Sequence, residues 1–339
     1  MALDILFLLV GIVVAAMTLL DVFETVVVPG GSKASLKVAK RLVWLLLPLW
    51  KGLRGKRHGL SSAFAPLVLV LCFVIWMGLM AIGFGLMAYA ERAHFHPPLR
   101  SFFDGVYIVG SSLVTVGLAE SNPLGLARWI VLAAGFCGLA VMTMAVTYLL
   151  EVQSSVAKRD IGIIKLNTSA GEPPSAVTLL QRFGAIGYRS EIGDVLREGR
   201  DWCATVRQSH SNHPSLIYFQ SVGTGSGWPA ALAALLDLSL LSEHCIDDDS
   251  LRGSAVLLRD EGTRMARELA GVISLQPIEV QPDEPELVQA AERLRSGGYA
   301  IRPDIDFKAL SRLRMEYRSC VEALARHLGK PGATLVRQD

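Results

Sequence analysis

Three long apolar runs before residue 152 leave this chain few ways to fold, because each is too apolar for water and too long for an ordinary core helix. Residues 63–89 contain no charged side chain and would extend about 40 Å as a helix, more than the ~30 Å hydrocarbon core of a bilayer requires. Such a helix spans with tilt. Residues 129–150 are likewise uncharged and of spanning length, and residues 5–28 are apolar except for Asp21 and Glu24 near their far end. The 51% hydrophobic content is concentrated in these runs, and the chain beyond residue 152 reads as soluble. A cleaved leader is the alternative for the first run, but Met1-Ala2-Leu3-Asp4 lacks a basic start and no A-x-A site precedes Asp21. It is read as a retained helix.

Between the first two runs stand Lys33, Lys37, Lys40, Arg41, Lys51, Arg54, Lys56 and Arg57 with no acidic residue, which makes this segment cytoplasmic by the positive-inside rule. The amino terminus and residues 91–128 are then outside, and the chain beyond Glu151 is inside, giving a multi-pass protein of the cell's inner membrane. Lys33, Lys37, Lys40 and Arg41 share one helical face and Leu36, Leu42, Val43 and Leu46 the other, with Trp44 and Trp50 as interfacial rings. This pattern suits a helix lying on the inner leaflet, as an orienting anchor or as a sensor of anionic lipids. A net charge of +2 announces no nucleic-acid partner. The five cysteines are scattered and form no C-x-x-C pair, which argues against a disulfide framework and a four-thiolate zinc site.

The outer segment 99–120 is too apolar for a solvent loop and too short to cross and return as two helices. A re-entrant segment satisfies both limits. Ser101 caps a short helix with Asp104 at its third position, as in a capping box, and Ser111-Ser112-Leu113-Val114-Thr115-Val116-Gly117-Leu118-Ala119-Glu120 follows. Non-helical backbone at membrane depth is tolerated where it lines a cavity, so its carbonyls can face an ion.

The order of span, Phe102-Phe103-Asp104-Gly105-Val106-Tyr107 helix, Ser112-Leu113-Val114-Thr115-Val116-Gly117 and second span resembles the pore module of tetrameric potassium channels, over residues 62–151. The resemblance implies a homotetramer whose selectivity filter is Thr115, Val116, Gly117, Leu118 and Ala119, with potassium as the permeant ion and no other cofactor. It places Glu120 at the outer mouth with Asp104 behind it, where they would concentrate monovalent cations, and Gly138 at the inner-helix hinge. Glu120 can equally pair with Arg100 or Arg128. Gly135 and Gly138 can equally serve close helix packing. Leu118 stands where the family has Tyr and Ala119 where it has a second Gly, so a looser filter and an altered outer ion site are expected, because an L-residue in the left-handed region costs on the order of 1–2 kcal/mol. Below Gly138, Leu139, Met142, Val146 and Leu150 recur at helical spacing and are expected to line an apolar cavity and gate. Asp21 and Glu24 form an acidic pair inside the membrane, read either as an interfacial salt bridge to Lys33 or Arg41 or as a gating element.

The domains expected are an additional first helix at 1–30, a basic loop with an interfacial helix at 31–61, the pore module at 62–151, a polar linker at 152–175 and a helical cytosolic regulatory or assembly domain at 176–339. The fold class is therefore an all-α membrane protein with three spanning helices. In the last domain Asp283-Glu284-Pro285-Glu286 opens a helix that closes at Gly297-Gly298, and Asp306 opens another that closes at Gly329. Leu216-Ile217-Tyr218-Phe219 before Gly223-Thr224-Gly225-Ser226-Gly227 is the one candidate phosphate loop, but its spacing is G-x-G-x-G and no βαβ context surrounds it. His210 with His213, and Asp247-Asp248-Asp249 beside His244 and Cys245, are weak metal candidates. None of this supports an enzyme. A non-conducting or weakly selective membrane sensor or scaffold is the alternative to a channel, and a receptor acting through the glycine loop is the third class.

Overall fold

The computed structural model describes residues 2–27, 38–53, 64–118, 120–219 and 223–336. Lys33, Lys37, Arg54, Lys56, Arg57 and Ala119 lie outside them. The chain divides into two compact units, Met1–Val152 and Gln153–Asp339.

The first unit holds α1 (Ala2–Val26), α2 (Val38–Leu53), α3 (Phe64–Ala90), α4 (Phe102–Leu113) and the first part of α5 (Leu126–Ala170), with a two-residue pair β1 (Phe95–His96) and β2 (Asn122–Pro123). Three helices are long and apolar enough to cross a membrane, in α1, α3 and α5, as the uncharged runs require. In lipid no hydrophobic force drives helix to helix, so α1 and α3 associate by close packing at small residues. A Cβ on Gly11 would stand 2.5 Å from the Gly83 carbonyl oxygen, and one on Gly83 3.0 Å from the Ala15 nitrogen. At the end of the pair where α1 begins and α3 ends, Arg92 bonds Asp4, and the Phe7 and Tyr89 rings meet edge to face at 5.7 Å.

A buried cluster of Met80, Phe84, Ala88, Phe95, Ile108, Val109, Leu113, Ile130 and Ala134 joins α3, α4 and α5. The Phe95↔Pro123 and His96↔Asn122 pairs draw together the two ends of the loop that carries α4. Trp44 is exposed on α2 whereas Trp50 is buried against Phe64, ring centroids 5.4 Å apart. Trp50 is therefore a packing residue and not the interfacial ring its sequence position suggested.

Helix α5 runs on to Ala170, so most of the expected linker at 152–175 is helical. Its polar residues were misread as a break because a helix leaving an apolar medium needs no apolar stripe of its own to continue. The second unit adds α6 (Ala176–Ala185), α7 (Ile192–Asn212), α8 (Gly227–His244), α9 (Asp249–Val272), α10 (Glu284–Ser296) and α11 (Phe307–Leu328). It is mostly α-helical. The boundary signals act locally: Asp306 accepts from the Ala309 N–H at 2.9 Å to start α11, and Gly329 ends it at φ +65°. Helix α8 is apolar around its circumference and buried along nearly all its length, as such a helix must be. Helices α6, α7, α9 and α11 pack on it.

Candidate functional site

The segment after α4 is built from that helix's own last turn. Ser101 accepts from the Asp104 N–H at 3.2 Å, and Asp104 in return accepts from the Ser101 and Arg100 N–H groups at 2.9 Å. That capping box fixes where α4 begins and occupies the Asp104 carboxylate with backbone donors. At the other end the Val114 N–H bonds the Gly110 carbonyl at 3.1 Å and closes the helix.

The chain then turns back on Ser111. The N–H groups of Val116 and Gly117 both donate to the Ser111 carbonyl, at 2.8 and 3.1 Å, and the Thr115 N–H donates to Ser112 at 3.0 Å. In a trans peptide the carbonyl points opposite to the N–H of the next residue. Pinning the Val116 and Gly117 N–H groups on α4 therefore turns the Thr115 and Val116 carbonyls away from it. Thr115 (φ +61°) and Gly117 (φ +71°) lie in the left-handed region with Val116 between them outside it, an alternation that keeps successive carbonyls on one side. The exception is Leu118, whose carbonyl oxygen lies 2.7 Å from the Ser111 hydroxyl. The same hydroxyl is 2.8 Å from the Ile108 carbonyl. It carries one hydrogen, so it serves one of the two at a time. The Leu118 carbonyl is thus directed back toward the helix, unlike those of Thr115 and Val116.

Ser111 was missed in the sequence. Its only signal there is a small hydroxyl one helical turn before Thr115 in an otherwise apolar segment, a pattern that ordinary helix packing produces as often.

Residues 115–118 and Glu120 are exposed on the single chain. Arg128 donates to the Pro123 carbonyl at 3.1 Å. On α5 one seam is buried, through Ala127, Ala134, Val141 and Tyr148, while Leu139, Met142, Val146 and Leu150 form an exposed one. Gly138 lies on the side facing α4, where a Cβ would overlap the Leu113 carbonyl group, and the Cβ position of Gly135 is 3.5 Å from the Ser112 oxygen. Gly138 therefore sits against the residue that ends α4, just before the segment 114–118.

The acidic pair stands apart from this loop. Asp21 is fully buried and accepts from the Trp76 indole N–H at 2.8 Å and from the Val38 N–H at the start of α2 at 3.3 Å. It ties α1, α2 and α3 together. Lys33, one of the partners expected for it, lies outside the described residues. One oxygen of Glu24 is buried without a hydrogen-bond partner among the described residues.

In the second unit the remaining candidates take structural roles. Asp248 caps α9 by accepting from the Ser250 N–H at 2.9 Å, and Asp249 pairs with Arg302 at 3.0 Å. Residues Pro214–Tyr218 form a short 3-10 helix and not a strand, so among the described residues no strand precedes the glycine loop. His210 is buried against the Trp228 ring and 3.4 Å from Arg159. Burial, with the Arg159 charge beside it, holds His210 well below the usual histidine range. Such a histidine favours the fold fully above its unfolded pKa of about 6.5, and that contribution is lost as pH falls from there toward the folded value. The melting temperature is expected to drop between about pH 7.5 and about pH 5.5, and His210→Gln to flatten the slope. An unchanged slope in the variant would assign the pH dependence to other groups.

Comparison with known proteins bears on the first unit. Residues 67–154 match the family described as "Ion channel" (Ion_trans_2). That interval holds nearly all of α3, the whole of α4, the loop after it and the first part of α5. A curated protein of Bacillus subtilis (strain 168), under the name "Uncharacterized membrane protein YdjJ", is 32% identical over 120 residues, covering 33% of this chain and 35% of that protein. The chain thus spans about a third of the length of the curated relative it matches. No solved structure matches. The protein therefore carries, at residues 67–154, a segment similar to the ion-channel family, set among helices long and apolar enough to cross a membrane.

Proposed function

We propose that four copies of the chain enclose a cation pore in the inner membrane, with potassium as the permeant ion and Thr115, Val116, Gly117, Leu118 and Ala119 as its re-entrant selectivity filter. The amino end is outside and the second unit cytoplasmic, as the basic segment 31–61 orients it. The observation that carries this reading is the pair of N–H groups pinned on the Ser111 carbonyl, which turns the Thr115 and Val116 carbonyls off the helix. One chain supplies one edge of a coordination shell, and a ring of copies completes it, replacing the ion's water. Conduction proceeds as ions displace one another between successive rings. Glu120 concentrates cations at the mouth. The exposed seam of Leu139, Met142, Val146 and Leu150 lines the inner cavity and closes by dewetting. Gly138 is the position at which α5 can bend, and its contact with Leu113 would carry that motion to the filter. Arg41 and Trp44, both exposed on α2, hold that helix on an anionic leaflet.

The turned-back Leu118 carbonyl favours a second reading, a filter short of one ring that is weakly selective or silent. Reversal potential across a planar bilayer with opposed potassium and sodium distinguishes them. A potassium-directed reversal that Gly117→Asp abolishes supports the selective channel, and a reversal near zero that the variant also abolishes supports a general cation pore. Silence in the wild type across lipid compositions, pH and voltage sinks conduction and leaves the scaffold.

A further inference from the structure

The glycine loop in the second unit is built to hold an anion. Gly223, Gly225 and Gly227 have φ of +83°, +47° and +77°, alternating with Thr224 and Ser226. Such alternation gathers backbone N–H groups into a concavity that accepts negative charge, here without the Gly227 N–H, which donates to the Thr224 carbonyl at 2.8 Å. The loop runs into the amino end of α8, which has no side-chain cap, so the positive end of the helix dipole faces the same place.

That place already receives a carboxylate. A Cβ on Gly225 would overlap the Glu172 carboxyl group, so the absence of a side chain at Gly225 is what lets Glu172 lie against the loop. Lys330 donates to the Gly225 carbonyl at 3.0 Å. Burial and the nearby Arg159 charge push the Lys330 pKa down, and Glu172 opposes them. Arg159, Thr224, Trp228 and Lys330 line one cavity of about 10 Å³, room for about one water-sized particle. Trp228 is 3% exposed, and its indole N–H has no acceptor among the described residues. Three donors border this cavity: Arg159 is held by Asp160 and the Leu216 carbonyl, Lys330 by the Gly225 carbonyl, and the buried Trp228 N–H is the one of the three left without an acceptor among the described residues.

We propose that this loop binds a phosphoryl group, as inorganic phosphate or as the phosphate of a nucleotide, in competition with Glu172. A phosphate offers more acceptor oxygens and more negative charge than a carboxylate. It fits only when Glu172 swings into solvent, because the cavity beside it is too small. The site is not a nucleotide fold, since a 3-10 helix and not a strand precedes the loop, and it does not depend on conduction by the first unit.

The test is calorimetric titration of the full-length protein in detergent with inorganic phosphate, at ionic strength matched with chloride, and separately with ATP. Glu172→Gln removes the competing charge and is expected to tighten phosphate binding about tenfold, while Lys330→Met weakens it by a similar factor. Trp228→Phe keeps the ring, loses the donor and weakens binding severalfold. Tightening in Glu172→Gln distinguishes competition from unfolding, which could only weaken binding. Binding of ATP with much higher affinity than phosphate supports the site and assigns the nucleotide as the source. Absence of heat with both ligands in the wild type and in Glu172→Gln overturns the proposal. So does binding of equal affinity in the wild type, Glu172→Gln and Lys330→Met.

Discussion

Arg314→Leu is expected to destabilise the second unit by about 3–5 kcal/mol, the cost of leaving buried carboxylates without their partner. Arg314 is 1% exposed and grips Asp237 with both ends of its fork, at 2.7 and 2.8 Å. It also bonds Glu286 at 3.0 Å and Asp283. The Tyr317 hydroxyl completes Asp237 at 2.6 Å, and Arg318 reaches Asp283 at 2.8 Å. Burial alone would lower the Arg314 pKa, yet the Asp237 carboxylate beside it holds it well above the ordinary value, so the charge persists at every working pH. Arg314→Lys is expected to rescue little, because an ammonium cannot match a carboxylate with two parallel bonds. Asp237→Leu combined with Arg314→Leu should recover part of the loss, since the deepest unpaired charge is then absent. Urea titration of the full-length protein, followed by tryptophan fluorescence, measures all three. A loss below about 1 kcal/mol for Arg314→Leu would place the network in the class of surface ion pairs.

Gly138→Ala is expected to cost on the order of 1–3 kcal/mol through overpacking and to displace the carboxyl end of α4, abolishing any selective reversal potential. The added methyl group would overlap the Leu113 carbonyl, which is backbone and has nowhere to rotate. Gly78→Ala is the control, because a Cβ there meets nothing within 4 Å, and it should be close to silent. The pair of variants also separates two roles of Gly138. A residue needed only for bending would, when changed to alanine, keep stability and alter open probability. A residue needed for contact loses both stability and selectivity. Thermal melting in detergent alongside bilayer recording reads the two outcomes.

Much of the architecture was legible because its causes lie within a turn or within one uninterrupted run. An uncharged stretch longer than the bilayer core is spanning material whatever surrounds it. The capping box of Ser101 and Asp104, the start of α11 at Asp306 and its stop at Gly329 are bonds between residues three or four apart, which spacing alone displays. The short helix α4 was legible too, because its start follows from the same local signals.

What tertiary structure decided are the pairings between residues far apart in the chain. Asp21 reads as an interfacial charge until the fold brings Trp76 against it from another helix. Nothing local in the sequence pairs Arg314 with a carboxylate, and only the packing of α11 on α8 buries it on Asp237. The glycine loop reads as a failed nucleotide motif until Glu172 arrives against Gly225. In the segment after α4 the residue types were evident, but the direction of each carbonyl was not. That direction depends on which N–H groups the end of α4 captures and on where one serine hydroxyl points. Hydrophobic length and capping are properties of a segment, whereas a buried charge or a carbonyl's direction is set by what the folded chain places opposite it.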